Sequence, residues 1–151
     1  MDVLNLGAGN RIVFGAVNHD LVAHRPEITV VHDLNDLPWP WEDDSFDLIE
    51  AWSVLEHLRH TLYTSLDECW RLLRPGGRLR IKLPLWDHDA SWIDPSHYWQ
   101  FSLQSLDHFD PDTPRGHDYE FYPCRKWKII EAARFIPGTG SFCAMMMPRK
   151  L

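Results

Sequence analysis

The sequence predicts an α/β fold: a compact, doubly wound, mostly parallel sheet finished by a C-terminal antiparallel hairpin. Three observations carry that expectation. Short apolar runs that stop at glycine or an acid recur through the first third of the chain. One strongly amphipathic helix follows them. Two long β-patterned runs then flank the turn Pro137-Gly138-Thr139-Gly140. The 151 residues read as a single domain spanning 1–151, a size that buries roughly 68–70% of the unfolded surface.

Val3–Leu6 is the first expected strand, stopped by Gly7-Ala8-Gly9. Ala16–Asp20 is the second. The few residues between Gly9 and Ala16 are too short for a crossover helix, which needs ten or more, so a loop or single turn must link them. Thr29–His32 is the third strand, followed by the acid Asp33. After a Pro/Trp-rich loop over 38–41, Phe46–Ala51 is the fourth, and a short helix is expected over Trp52–Arg59. Leu62, Leu66, Cys69, Trp70 and Leu73 then fall on one helical face, with Thr61 placed to cap it, Asp67 to pair with Arg71, and Pro75-Gly76-Gly77 to stop it. Arg78–Leu83 alternates strictly, with Leu79, Ile81 and Leu83 on one face and Arg78, Arg80 and Lys82 on the other. A parallel strand covered on both sides is apolar throughout, so one face of the sheet is expected to be thinly covered. Residues 84–123 form a long irregular segment, and Lys126–Ile136 with Ser141–Met147 make the hairpin. A helix over 125–135 is the competing reading.

Charge and cysteine usage limit the function classes. A net charge of −7 argues against a general nucleic-acid binder or an anionic-membrane binder. The three cysteines, Cys69, Cys124 and Cys143, form no CxxC pair, which suits reduced thiols in a cytoplasmic protein. No secretory leader and no apolar run of membrane-spanning length is visible.

In doubly wound sheets, ligands sit at the carboxyl ends of the strands. Here those ends carry Gly7-Ala8-Gly9, Asp20 and Asp33. A carboxylate after the second strand can accept both hydroxyls of a ribose, and one after the third can accept from an adenine amino group. A dinucleotide fingerprint would need glycine at position 12, where Ile12 stands, so a nucleoside ligand without phosphates fits better than NAD.

With Leu4-Asn5-Leu6-Gly7-Ala8-Gly9-Asn10, Val17-Asn18-His19-Asp20, Val31-His32-Asp33-Leu34, Ser45–Ile49, Val54-Leu55-Glu56-His57-Leu58, Arg71–Gly77 and Asp94-Pro95-Ser96-His97 in order, the chain resembles small class I S-adenosylmethionine-dependent methyltransferases of the short prokaryotic and phage type. That resemblance, over about residues 1–110, implies a Rossmann-like fold and S-adenosylmethionine as cofactor. It implies that Asn5 and Gly7, Ala8 and Gly9 lie by the methionine end, that Asp20 holds the ribose and Asp33 with Leu34 the adenine, and that Ala51 and Trp52 line the far wall. Three departures stand out: the usual acid of the first motif is Asn5, the third glycine of the longer motif is Arg11, and the helices that commonly precede the first strand are absent, since Val3 follows Met1 so closely. The alternative is a methyltransferase-like fold without catalysis, serving as an interaction module.

A hydroxyl or ammonium acceptor needs a base. His97 is the first candidate, in the 85–120 segment read as a substrate loop or lid, and His57 is the second. Asp87, His88, Asp89, Asp94 and His97 match no defined metal motif, so no metal ligand is assigned. Trp86, Trp92, Tyr98 and Trp99 read either as loop packing or as a wall for a flat acceptor. The acceptor is expected to be a small molecule, and a homodimer could cover the thinly covered sheet face.

Overall fold

A computed structural model describes residues 1–150. Seven strands form one sheet: β1 (Val3–Leu6), β2 (Val17–Asp20), β3 (Val30–Val31), β4 (Phe46–Trp52), β5 (Leu73–Pro84), β6 (Trp127–Ile136) and β7 (Ser141–Pro148). Their order is β3-β2-β1-β4-β5-β7-β6. The first five neighbours run parallel, and β7 enters antiparallel between β5 and β6. The chain thus winds outward in two directions from β1 and β4, as expected, and the terminal run is a hairpin rather than a helix.

Strand alternation divides the sheet into two unlike faces. On one, Leu4, Ile49, Leu79 and Met146 lie side by side in register, as do Leu6, Ala51, Ile81 and Ala144. All are buried, and Leu66, Cys69 and Leu72 of helix α1 (Leu62–Leu72) join the same core. Each fully buried leucine or isoleucine there contributes about 1.5–3 kcal/mol of burial. Across the other face runs a polar row in register, Asn18, Asn5, Glu50 and Arg80. Arg80 and Arg11 both pair with Glu50, and the Arg11 guanidinium lies 4.3 Å above the ring of Trp52. The charged side of β5 is therefore not simply bare. Arg11 and the loop from Gly9 to Ala16 lie over the β1 and β4 part of this face, held by Asn5, Asn18, Glu50 and Trp52, while Arg78 of β5 stays exposed.

Asn5 and Asn18 explain how that loop is held without a helix. Asn5 Nδ2 donates to the Arg11 carbonyl at 2.7 Å and to Asn18 Oδ1 at 2.8 Å. Asn18 Oδ1 also accepts from Val13 N, and Asn18 Nδ2 donates to the Val13 carbonyl, both at 3.0 Å. Two buried amides thus stand in for the intrahelical bonds that this connection lacks.

Several local expectations need correction. β3 is two residues long, and the segment 52–59 holds only the 3-10 turn Leu55–His57, because Trp52 continues β4. Thr61 occupies the N-cap of α1 but makes no side-chain cap bond. Arg71 pairs with Glu68 and Asp43 rather than Asp67, which instead accepts from Arg125 N. The chain turns extended at Leu73, before Pro75 is reached. Residues 84–123 contain short elements, among them α2 (Pro114–Asp118) and the 3-10 turns Asp89–Ser91 and Asp107–Phe109. Among the described residues, no helix is long and apolar enough to cross a membrane.

The amide pair generates a test. Asn5→Asp, which restores the acid usual in the first motif, removes both donors and buries a charge. It should destabilise the protein by about 1–3 kcal/mol at neutral pH in urea unfolding, whereas equal stability of the two proteins would contradict the network.

Candidate functional site

A cleft of about 480 Å³ opens over the carboxyl ends of β1, β2, β3 and β4, where the winding direction reverses. Gly7, Asp20, Asp33, Leu34 and His57 line it, all named from the sequence. The sheet places them there because each follows or ends a parallel strand.

Gly7 forms the floor. Its φ is +56°, and a Cβ there would come within 2.6 Å of Val54 Cγ2, so both backbone conformation and space require glycine. Its N–H donates to His19 Nδ1 at 3.3 Å, while His19 Nε2 lies 2.9 Å from the His32 carbonyl. A carbonyl only accepts, so His19 is the neutral tautomer with its proton on Nε2. Burial holds its pKa below the usual histidine value. His19 thereby ties the glycine turn to the chain after β3, a role with no signal in the residues beyond its place beside Asp20.

The two strand-end acids are preorganised by backbone donors. Asp20 Oδ2 accepts from Gly9 N and Oδ1 from Leu21 N, each at 2.7 Å. Each oxygen keeps a second lone pair for a ligand hydroxyl. Asp33 Oδ1 accepts from Asn35 N and Nδ2, both at 2.9 Å, and its pKa is lowered chiefly by the Asn35 backbone bond. Its other oxygen faces Arg59 Nη2 at 3.9 Å. The Leu34 carbonyl is fixed by Trp39 Nε1 and lies 3.0 Å from His60 Nε2.

Other expected residues lie elsewhere. Asn5 is 1% exposed and serves the loop, not the cleft. Ala8 is buried with its N–H on the His19 carbonyl, and Gly9 acts through Asp20. Ala51 points into the core, and Trp52 lies on the opposite sheet face beneath Arg11, because β4 stays extended through residue 52. The wall assigned to them is made by Ser53, at φ +55°, and Val54.

The two histidines lie side by side. His57 lines the cleft, whereas His97 sits behind it with ring centroids 4.6 Å apart. Beside them Glu56 is 1% exposed, and burial pushes its carboxyl up to about 7. Tyr98 is the aromatic residue of the 85–120 segment that reaches the cleft, while Trp99 donates to the Leu58 carbonyl and packs on the core. Trp86 and Trp92 remain exposed, joined by a Trp92 Nε1 bond to the Trp86 carbonyl.

Comparison with known proteins agrees with this fold. A family model described as a methyltransferase domain matches residues 14–81. No curated protein matches the chain. Among solved structures, the YcgJ protein of Bacillus subtilis is similar with a TM-score of 0.61 and 15% identity, over 99% of this chain and 92% of that one. An S-adenosylmethionine-dependent methyltransferase of Archaeoglobus fulgidus gives 0.61 and 14%, over 97% and 85%. A Haemonchus contortus phosphoethanolamine N-methyltransferase, solved with phosphoethanolamine and S-adenosylhomocysteine, gives 0.58 and 15%, over 97% of this chain and 39% of that one. The chain thus resembles class I S-adenosylmethionine-dependent methyltransferases, and it has their Rossmann-like fold.

Two outcomes follow for the cleft floor. Gly7→Ala should lose at least about 1–2 kcal/mol of stability from the left-handed backbone alone, read by urea unfolding, with Val54 displaced. The lowered His19 pKa means that the unfolded chain takes up its proton first as pH falls. The His19 contribution is therefore complete above about pH 6.5 and lost below it. His19→Asn should flatten the fall in melting temperature between pH 7 and pH 5, and an unchanged profile would count against this role.

Proposed function

We propose that the protein transfers a methyl group from S-adenosylmethionine to a small-molecule acceptor bound over the ends of β1 and β4. The observation that carries this is the cleft floored by the Gly7 backbone and flanked by two carboxylates already oriented by backbone donors. Asp20 would take the ribose hydroxyls with its remaining lone pairs. Asp33 and Leu34 would hold the adenine edge, and the methionine end would run past Gly7. The cofactor supplies an electrophilic methyl on a sulfonium, and the chain's task is alignment, which supplies roughly 7–11 kcal/mol in well-oriented systems.

His57 is the side chain placed to take a proton from the acceptor, with His97 behind it. The 85–120 segment contributes Ser96 and Tyr98 to the cleft and would cover the acceptor. The cleft volume lies within the range of small-molecule sites, about 300–1,000 Å³, and one structural neighbour holds phosphoethanolamine. The free thiols of Cys69, Cys124 and Cys143 suit a cytoplasmic setting.

S-adenosylhomocysteine at 100 times its dissociation constant should stabilise the protein by about 2.7 kcal/mol, visible as a rise of several degrees in melting temperature. Asp20→Ala should abolish that rise. No shift at millimolar ligand would sink the reading and leave the non-catalytic interaction module in its place.

A further inference from the structure

Next to the cleft, the fold brings His97 of the 85–120 segment against the adjacent pair Glu56 and His57. Glu56, His57 and His97 each offer one ligand atom, and the three atoms lie within 4.8 Å of one another. The Glu56 carboxyl is almost wholly buried. Its Oε1 stands 4.0 Å from His97 Nε2, and its Oε2 is buried without any hydrogen-bond partner. A carboxylate taken out of water is unfavourable unless a positive partner completes it.

The hydrogen bonds around the rings fix their electron pairs. His97 Nδ1 lies 3.1 Å from the Ser91 carbonyl, which can only accept, so Nδ1 carries the proton. Ser96 Oγ spends its single proton on Asp94 Oδ1 at 2.7 Å, and it must therefore accept from His57 Nδ1 at 2.8 Å. Both neutral rings consequently keep a free electron pair on Nε2. An imidazole whose other nitrogen is anchored to a carbonyl or to a hydroxyl–carboxylate relay is how proteins aim histidines at metals. Lys82 on β5 and Asp94 in the loop are the charges that act on Glu56, and they oppose each other.

We infer that Glu56, His57 and His97 bind a divalent transition cation of the zinc type. Two imidazoles and one carboxylate suit such an ion better than magnesium or calcium, which favour all-oxygen sets. Bonds of about 2.0–2.1 Å require ligand atoms about 3.4 Å apart, so the cluster closes on the ion by rotations of roughly an ångström. Three protein ligands leave a fourth position open, as in catalytic sites. His57 turns that position toward the cleft, beside Ser96 and Tyr98.

This inference deepens the methyltransferase reading and rests on it for one step only. An acceptor hydroxyl bound at the open position loses its proton to solvent on coordination. Its oxygen electron pair then forms a bond to the sulfonium methyl carbon, and the carbon–sulfur electron pair returns to sulfur, leaving the neutral thioether. With the ion bound, the two imidazoles hold it and coordination replaces His57 as the means of deprotonation.

The test uses the full chain, stripped with chelator and titrated with zinc chloride by calorimetry, with magnesium chloride alongside. One equivalent of zinc should bind, with magnesium at least 100-fold weaker. His97→Ala and Glu56→Gln should each weaken zinc at least 100-fold, while His24→Ala, at an exposed histidine away from the cluster, should leave it unchanged. His57→Ala, at the least buried of the three, keeps the test decisive where a buried variant does not fold. His57→Ala should likewise weaken zinc at least 100-fold; no zinc binding, or binding in the His57 and His97 variants as tight as in the unaltered protein, overturns the inference. Asp20→Ala separates the two readings: it removes S-adenosylhomocysteine binding but should keep full zinc affinity, so either can fail alone.

Discussion

The paired amides of Asn5 and Asn18 are the constraint on which the rest of this structure depends. A parallel β1–β2 pair ordinarily spans its connection with a helix that satisfies its own backbone. Here the connection is a loop, and its carbonyls and amides at Arg11 and Val13 find their partners in those two buried side chains. The same requirement explains two departures from the family pattern. A carboxylate at position 5 has no donor for the Arg11 carbonyl, and a glycine at position 11 has no side chain to lie over Trp52 and Glu50. What looked in the sequence like erosion of a binding motif is an alternative way to cover the sheet.

The cleft is held by a second set of contacts, from the α1 side. Arg71 spends its donors on Glu68, Asp43 and the carbonyls of Trp39 and Trp41, while Glu68 also accepts from Trp39 N. This fastens the Pro/Trp loop to the helix, and Trp39 in turn fixes the Leu34 carbonyl. His19 packs edge-on against Trp41 at 5.5 Å while bracing Gly7. The glycine turn and the loop after β3 are thus braced from one helix, although they lie on different strands. A cleft whose walls are already held by hydrogen bonds would need little further ordering to take a ligand.

Much of this was legible in the residues. The alternation of Arg78 to Leu83, the amphipathic run from Leu62, and the glycine and acids at the strand ends specified the sheet, its covered face and the edge where the cleft opens, because each rests on a local period or a local backbone need. What could not be read depended on where strands stop and which face they present. One extra extended residue carried Trp52 from the cofactor wall to the opposite face. Asp67 and Glu68 are adjacent and both acidic, and only the packing of the Pro/Trp loop decides that Arg71 takes Glu68. His57 and His97 were both visible as candidates, but which of them lines the cleft, and the joining of Glu56 to the pair, come from a loop folding back over a 3-10 turn. No period in the sequence records that return.

The position of β7 bears on how the chain reaches its native state during synthesis. β7 is the last of the seven strands to be made, yet it lies inside the sheet, with β5 on one side and β6 on the other. Until residues 141–148 leave the ribosome, the exposed edge of β5 has no partner and β6 has nothing to pair with. An open β edge is a template for pairing between chains. Arg78, Arg80 and Lys82 alternate along β5, and charged side chains on a waiting edge disfavour such pairing.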